Sequence, residues 1–376
     1  MKIDDFAVEI WMNEYETTCS HNLAETCVRS LSIDELLDLS GRRADILAEL
    51  GRTRMTYGPI PGSDRLRTLV ASLFTNQTAD NVIITHGAIG ANALVHEALV
   101  EPGDRVIAVR PNYQQHYSIP ASYGAGVQEL WLTQEGNWLP DLDRLDDLAT
   151  DRTKLIALTN PNNPTGSLMD EAMLNDVVAI ARRCGAWILA DEVYRGIDQH
   201  GDGTTASVAD LYERGISTGS MSKPFGLAGL RLGWIVGPQE VLEPVSIHRN
   251  YNTISVSRVD DLFASVGLEH KEQILDRGRR ITRENLAVLD RFMTARDDLD
   301  WVKPTAATVT LIRYYYNIES YDLCRRLLAE TGVMFMPGDA FDIPRTFRIG
   351  FADDLATLEA GLDRFGGYLD GLGKTG

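Results

Sequence analysis

The chain has 376 residues, 44% of them hydrophobic, which is enough for one large domain and one smaller domain. With 36 basic and 54 acidic residues, its formal net charge is -18, so a nucleic-acid-binding surface would work against the overall field. The composition therefore favours a protein that acts on small molecules.

Cysteine spacing and hydrophobicity give the expected location. Cys19, Cys27, Cys184 and Cys324 form no CxxC pair and no cluster with histidine at metal-ligand spacing, so we expect neither a disulfide framework nor a metal site. The N-terminus has no apolar signal-peptide core, and no run of about 18 apolar residues occurs, so we expect no membrane span. A reducing cytoplasm is the predicted location.

Residues 1–50 are predicted to form short helices. The clearest lies in SIDELLDLSG at 32–41, where Ser32 is followed three positions later by Glu35, and Gly41 ends the run. We interpret this region as an N-terminal arm and part of the smaller domain.

Residues 51–255 are predicted to form the large domain. Short apolar runs alternate with helical stretches, which is typical of an α/β sheet with helices on both faces. The predicted strands lie in NVIITHG, DRVIAVRP, VQELWL, TKLIALTN, AWILADEVY, GISTGS and RLGWIVG.

Residues 256–376 are predicted to contain a long linking helix, over about 256–295, and a C-terminal small domain. Strand patterns occur in TVTLIRYYY and FRIGFA, and helical patterns occur in YDLCRRLLAETG and DDLATLEAGLDRFGGYL. This mixture indicates an α+β domain.

Chemically suggestive residues follow predicted strands, where ligands bind in open α/β sheets. In GSMSKPFGLAGLR at 219–231, Ser220, Ser222 and Arg231 are suited to bind a phosphate. Lys223 would then lie within reach of whatever the phosphate carries, although a lone loop lysine is more often simply exposed.

A second group of residues follows two further strands. WILADEVYRG at 187–196 brings Asp191 to the end of an apolar strand, where a buried carboxylate needs a cation, either an arginine or a protonated ring nitrogen. LTNPNNPTG at 158–166 is interpreted as a turn after a strand.

In this order, the motifs resemble those of the fold-type I, pyridoxal 5'-phosphate (PLP) dependent aminotransferases of class I/II, over about residues 55–352. The resemblance implies a large domain with a mostly parallel seven-stranded sheet between helices, and a smaller α+β domain. It also implies PLP as cofactor, and ping-pong transfer of an amino group between an L-amino acid and a 2-oxo acid. A homodimer with shared active sites is a further implication of this resemblance.

The resemblance implies a role for each residue that binds the cofactor's reactive end and its phosphate. Lys223 would form the internal aldimine with PLP. The implied phosphate ligands are Ser220, Ser222, Arg231 and the backbone N–H groups of Ala88 and Ile89 in THGAIGANAL.

Other residues are matched to the ring. Asp191 would pair with the pyridinium nitrogen, and Tyr194 and Asn163 would hydrogen-bond the ring's O3', with Asn163 also contacting the substrate. Tyr113 in RPNYQQHY would stack on the ring face, although a core tyrosine is the alternative.

The resemblance also assigns residues to the substrate and to a second subunit. Arg348 in FRIGFA would bind the substrate α-carboxylate, a bidentate task to which arginine is suited. Tyr57 in TYGPIPGSDRLR would reach the phosphate of the neighbouring subunit. Separately, IHRNYNTISVS at 247–257 is interpreted as presenting Asn252 or Thr253 to the partner's cofactor, with a polar helix connection as the alternative.

The arm departs from the family, because ETTCSHNLAETCVRSL replaces a stretch that is often rich in Gly and Pro. It is loosely similar to a branch that includes capreomycidine synthase, which uses PLP to eliminate a β-substituent from an arginine derivative and cyclise it. In that case His21 would act on the substrate as an acid/base and Glu25 would clamp a cationic group. An ordinary surface histidine and a capping glutamate are the alternative.

Three functions are therefore compared. The leading hypothesis is an aminotransferase, and the second is a PLP-dependent lyase or cyclase that uses the same Lys223 but loses a β- or γ-leaving group. A PLP-sensing regulator is disfavoured, because the residues before the fold show no helix-turn-helix pattern.

Overall fold

A computed structural model describes residues 2–372. Ser32 Oγ accepts a hydrogen bond from Glu35 N, and the Glu35 carboxylate accepts one from Ser32 N, so the predicted helix start is confirmed. That helix ends at Gly41, whose φ is 63°. The elements of the arm are α1 (Ala7–Tyr15), β1 (His21–Asn22), α2 (Ile33–Ser40) and α3 (Arg43–Arg52).

The large sheet contains all of the strands predicted between residues 82 and 236. Its strands are β2 (Val82–Thr85), β3 (Arg105–Arg110), β4 (Gly126–Trp131), β5 (Thr153–Thr159), β6 (Trp187–Asp191), β7 (Gly215–Ser220) and β8 (Gly233–Val236). Within residues 2–372 they form a seven-stranded sheet in the order β2-β8-β7-β6-β5-β3-β4. Pairing is parallel from β4 to β7 and antiparallel on both sides of β8, so the predicted mostly parallel sheet is confirmed.

Helices cover both faces of this sheet, which explains why β5 and β6 contain consecutive apolar residues. In β5, Leu155 belongs to a buried cluster with Val95, whereas its neighbour Ile156 belongs to one with Val177. Val95 and Val177 are on helices of opposite layers, α5 and α8. The helices of this region are α4 (Asp64–Ala71), α5 (Gly87–Leu99), α6 (Gln115–Ser122), α7 (Leu142–Leu148), α8 (Glu171–Cys184), α9 (Val208–Leu211) and α10 (Gln239–Asn250).

The C-terminal region has a smaller, antiparallel sheet. Its elements, with the helices that precede it, are α11 (Arg258–Glu269), α12 (Lys271–Thr294), β9 (Leu299–Trp301), β10 (Val309–Tyr314), α13 (Ser320–Thr331), β11 (Val333–Met334), β12 (Met336–Pro337), β13 (Thr346–Gly350) and α14 (Leu355–Leu372). In the described chain, four strands pair in the order β12-β13-β10-β9, and β11 pairs in parallel with β1 of the arm. The Phe335 and Phe347 rings stack at 4.6 Å in the core of this region.

The predicted continuous helix over 256–295 is replaced by two helices. His270, with φ -112° and ψ 24°, lies between α11 and α12. Phe263 of α11 packs in a cluster with Leu66 of the large domain, whereas Leu289 of α12 packs with Phe365 of the small one. Ile274, near the start of α12, still packs in the cluster with Leu66, so the chain passes from one core to the other within α12.

The arm contacts both cores. Trp11 of α1 packs in the small-domain cluster and its Nε1 donates a hydrogen bond of 2.9 Å to Phe335 O. Leu37 of α2 and Ile46 of α3 pack instead in the cluster that contains Leu66. The domain boundaries at residues 50 and 255 stay a prediction. No helix within residues 2–372 combines the length and apolarity needed to cross a membrane.

Candidate active site

A cavity of about 330 Å³ lies where β5, β6 and β7 end, between the large sheet, the arm and β13. The structure brings most of the sequence-predicted site residues to its wall. They are Ala88, Ile89, Tyr113, Asn163, Asp191, Tyr194, Ser220, Ser222, Lys223, Arg231 and Arg348.

Asp191 forms the floor of the cavity at the end of β6. Its Oδ2 accepts a hydrogen bond of 2.9 Å from Asn92 Nδ2, and its Oδ1 accepts one of 3.1 Å from Val193 N. Asn92 is fixed in turn by Thr218, whose hydroxyl donates to Asn92 Oδ1 at 2.7 Å. His116 Nε2 lies 3.9 Å from Asp191 Oδ2. These neighbours hold a buried carboxylate in one orientation.

One end of the cavity is suited to an anion. The helix α5 begins there without a side-chain cap, so its first backbone N–H groups are free to bind a ligand. The strand β8 passes close to this helix start at Gly233. A Cβ at that position would lie 2.4 Å from the Gly87 carbonyl carbon, so only glycine allows this approach. Ser220, Ser222 and Arg231 complete this end of the cavity.

Lys223 lies at the centre of the cavity with its amine bound to the arm. Its Nζ donates to Thr26 Oγ1 at 2.5 Å and to Cys27 Sγ at 3.6 Å. Burial lowers the pKa of Lys223, but attraction from Cys27, Tyr194 and Glu25 outweighs it and raises the pKa. Since burial raises the pKa of Cys27 to about 12 and also raises that of Tyr194, Glu25 is the partner that is charged at neutral pH.

Glu25 is held in place by its own backbone. Its Oε1 accepts hydrogen bonds from Thr26 N at 2.6 Å and Cys27 N at 2.8 Å. Burial raises its pKa, but the Lys223 ammonium and these N–H groups lower it by more, so the net pKa is below the usual value. Glu25 therefore presents a carboxylate to the cavity at neutral pH.

Two further carboxylates, on Glu9 and Glu16, line the same side of the cavity as Glu25. Glu9 Oε1 accepts a hydrogen bond of 2.5 Å from Tyr113 Oη, which fastens α1 to the loop after β3. Burial, Glu25 and Glu9 together raise the pKa of Glu16. The wall formed by the arm is therefore negatively charged.

Arg348 is the cation that faces this wall from β13. Its Nη1 donates to Asn163 Oδ1 at 3.0 Å and its Nη2 donates to Ala24 O at 3.1 Å. Its side chain is 2% exposed, and in the described part of the chain its Nε has no hydrogen-bond partner. Burial lowers its pKa by more than nearby Tyr194, Glu25 and Glu9 raise it, so the net pKa of Arg348 is below its usual value.

Four candidates lie away from the described wall of this cavity. His21 is in β1, where its N donates to Gly332 O at 3.0 Å, and it is not among the described residues of the cavity wall, so its role toward the substrate stays a prediction. Tyr57 is 75% exposed and lies beside Ser255–Ser257, and Asn252 and Thr253 follow α10 on the surface. A role for these three toward a second subunit stays a prediction.

Sequence reasoning missed several residues of the wall. Thr26 and Cys27 are in the arm segment that departs from the family, and Glu9 and Glu16 are in or just after α1. Asn92 was inside the quoted THGAIGANAL, where a polar residue in an apolar helix was an available signal. No group of three or more His, Cys, Asp or Glu within residues 2–372 is placed to hold a metal ion.

The cavity fits PLP, because it has a suitable group for each reactive part of that molecule. The uncapped start of α5, with Ser220 and Arg231, suits the phosphate. Asp191 suits a protonated ring nitrogen, and Lys223 is the amine that would bond the aldehyde carbon.

Comparisons with known proteins agree with this fit. Residues 20–365 match the family model described as aminotransferase class I and II. Capreomycidine synthase from Streptomyces vinaceus is 31% identical over 360 residues, which cover 94% of this chain and 91% of the relative.

Solved structures are similar over almost the whole chain. A PLP-dependent aminotransferase from Streptococcus suis 89-1591 is 37% identical, with a TM-score of 0.95 and 98% of each chain covered. The PLP-dependent cyclase OrfR is 27% identical, with a TM-score of 0.91 and the same coverage. The chain therefore belongs to the aminotransferase class I and II family and is a PLP-dependent enzyme.

Proposed function

We propose that this enzyme moves an amino group between an L-amino acid with a cationic side chain and a 2-oxo acid. PLP supplies an electron sink for the negative charge that develops at the substrate Cα. Lys223 would bond the cofactor and carry the Cα proton, and Asp191 would keep the ring nitrogen protonated. Ser220, Ser222 and Arg231, with the N–H groups at the start of α5, would hold the phosphate.

Two residues would orient the substrate. Arg348 would bind the α-carboxylate. Its buried guanidinium supports this role, because its Nε has no hydrogen-bond partner within residues 2–372. Asn163, bonded to Arg348 at 3.0 Å, would adjoin both that carboxylate and the ring. Tyr194 and Tyr113 would contact the ring from the wall.

One observation supports a cationic side chain: Glu9, Glu16 and Glu25 line the cavity that holds Lys223 and Arg348. An anionic side chain would be repelled by these carboxylates, whereas a guanidinium or ammonium would be attracted.

An amino-acid panel tests the proposal. Purified enzyme is loaded with PLP, and the cofactor absorption band is followed with L-arginine, L-lysine, L-glutamate and L-alanine, without and with pyruvate, a 2-oxo acid whose side chain carries no charge. We expect the cationic amino acids to convert the band and the oxo acid to restore it. Conversion by L-glutamate alone would contradict the cationic specificity.

A matched pair of variants tests the acidic wall. Glu25→Gln should raise KM for the cationic substrate about 10-fold or more, because a charge-assisted contact is lost. Glu14→Gln makes the same charge change on an exposed part of the arm and should change KM by less than about 2-fold. Equal changes of KM in the two variants would indicate that the net charge of the arm, rather than direct contact with Glu25, attracts the substrate.

The second candidate is a lyase or cyclase, in which the substrate loses a β- or γ-leaving group. Two similarities favour it, one to capreomycidine synthase and one to the cyclase OrfR. Product formed from hydroxylated arginine in the absence of any oxo acid would support this reaction. Failure to form product without the oxo acid would exclude it in favour of amino transfer.

A homodimer with shared sites is also proposed. Large apolar side chains are exposed on the surface, namely Met55 at 84%, Tyr57 at 75% and Tyr251 at 91%. Mixing inactive Lys223→Ala subunits with Tyr57→Ala subunits tests sharing, because a hybrid dimer would contain one site with both residues. Recovery of activity on mixing is expected, and its absence would contradict a shared site.

The cytoplasm stays the proposed location. The four cysteines are free in the described chain, which agrees with a reducing compartment.

A further inference from the structure

We propose that Thr26 is a positioning residue for Lys223. The Thr26 hydroxyl holds the Lys223 amine beside the substrate Cα, both before and after the amine takes up a proton. This inference rests on the proposed function, in which Lys223 carries the Cα proton. Sequence reasoning assigned no role to Thr26.

The contact between Thr26 and the amine is direct. Lys223 Nζ lies 2.5 Å from Thr26 Oγ1, although the two residues are 197 positions apart in the sequence. Thr26 is 9% exposed, so water competes little for its hydroxyl. The other hydrogen-bond partner of Nζ within residues 2–372 is Cys27 Sγ, at the longer distance of 3.6 Å.

The hydroxyl of Thr26 is held in place by the backbone on both sides of it. Thr26 N donates to Glu25 Oε1 at 2.6 Å, and Thr26 O accepts from Thr308 Oγ1 at 2.6 Å. Two residues further on, Val28 N donates to Lys223 O at 3.0 Å, so the backbone of the arm is also hydrogen-bonded to the backbone of Lys223. Such support fixes the acceptor before the amine arrives, which reduces the entropy lost in forming the contact.

A hydroxyl is chemically suited to this position because it both donates and accepts. It accepts an N–H from the ammonium, and it can donate its own proton to the lone pair of the neutral amine. Carboxylates such as Glu25 accept only, so they favour the ammonium and would oppose return of the proton. Thr26 can therefore keep Nζ in place while the proton moves from the substrate Cα to Nζ and back.

The same arm segment connects this contact to the substrate site. Arg348 Nη2 donates to Ala24 O at 3.1 Å, two residues before Thr26. The arginine proposed to bind the α-carboxylate and the threonine that holds the amine are thus supported by one short piece of chain. A shift of this segment would move both groups relative to Cα.

The test compares Thr26→Val, which keeps the shape but removes the hydroxyl, with Thr26→Ser, which restores it. Thr310→Val is the matched control, since Thr310 is fully buried, its Oγ1 has no partner in the described chain, and it lies outside the described cavity wall. Unfolding midpoints in urea establish that each variant is folded. Borohydride reduction followed by mass spectrometry measures attachment of PLP to Lys223.

The decisive readout is exchange of the substrate Cα hydrogen with deuterium from D2O, followed by NMR on the PLP-loaded enzyme. The amino acid used is whichever of L-arginine, L-lysine, L-glutamate and L-alanine the wild type exchanges fastest. We expect Thr26→Val to slow exchange about 10-fold or more, and Thr26→Ser and Thr310→Val to stay within about 3-fold of the wild type. The pH profile of Thr26→Val should also shift to lower pH, because an ammonium without its acceptor releases its proton more readily.

The outcomes separate this proposal from the proposed function. If the wild type neither attaches PLP at Lys223 nor exchanges Cα hydrogen, the proposed function fails and the role of Thr26 fails with it. If the wild type does both and Thr26→Val exchanges at the wild-type rate with an unshifted pH profile, only the role of Thr26 is overturned. A variant that loses stability but keeps exchange would show that Thr26 is merely structural.

Discussion

Arg348 Nη1 donates a hydrogen bond of 3.0 Å to Asn163 Oδ1, joining β13 of the small sheet to the turn after β5 of the large one. Both side chains are buried, at 2% and 7% exposure, and both line the cavity that contains Lys223. A substrate carboxylate at this junction would therefore contact both domains. The orientation of Arg348 is fixed by Asn163 and Ala24 O rather than by an internal carboxylate.

Replacing Arg348 by lysine tests whether its planar guanidinium binds the carboxylate. Arg348→Lys keeps the charge but cannot form two parallel hydrogen bonds, so we expect KM for the amino acid to rise about 10- to 100-fold. Turnover at saturation should fall less. Steady-state kinetics measures both constants, and an unchanged KM would exclude Arg348 as the carboxylate ligand.

Asp191 is expected to affect turnover rather than folding. Asp191→Asn keeps the size of the side chain but removes the negative charge that would hold the ring nitrogen protonated, so turnover should fall about 100-fold or more. Asp143→Asn, on an exposed face of α7, is the control. A visible spectrum with bound PLP and lost turnover supports the assignment, whereas full activity of Asp191→Asn contradicts it.

Glu25 and Glu16 should affect stability with opposite dependence on pH. The pKa of Glu25 is lowered from 4.5, so its stabilisation is present above that value and is lost as the pH falls through the lower folded pKa. The pKa of Glu16 is raised from 4.5, so its contribution is present below that value and is lost as the pH rises through the folded pKa.

Urea midpoints of Glu25→Gln and Glu16→Gln between about pH 3 and pH 7 test this difference. Relative to the wild type, Glu25→Gln should lose stability mainly at the neutral end. Glu16→Gln should keep or gain stability at neutral pH, because glutamine resembles the protonated acid. The same sign for both variants would contradict the two pKa directions.

Phe347 should be essential to the small-domain core. It is fully buried, stacks on Phe335 at 4.6 Å and meets Phe365 edge-on at 5.2 Å. Phe347→Ala should lower the free energy of unfolding by about 3–5 kcal/mol through lost burial and a cavity. Tyr315→Ala, at a residue that is 61% exposed, is the control and should cost much less. Similar losses in both variants would contradict the proposed core.

Local patterns in the sequence were sufficient for the main elements. The predicted strands include all seven of the large sheet. The signal is clearest in β5 and β6, because parallel strands buried on both faces need apolar residues on both. Ser32 and Glu35 predicted a helix start from the chemistry of one helical turn. Short strands such as β1 were missed, because two residues are too few to show a hydrophobic period. This strand is defined by its pairing with Val333–Met334.

The sequence by itself determined which segments form strands and that Asp191 and Lys223 lie at or just after strand ends. Hydrophobic period and turn chemistry are local properties, so they can be read without the tertiary structure. Only the tertiary structure decided which arm residues reach them. His21 pairs with Val333 in β1, whereas Glu25 and Thr26 line the cavity. Thr26 contacts the amine of Lys223, which is 197 positions away in the sequence. Such contacts depend on how the arm packs against both cores at once, and no local pattern contains that information.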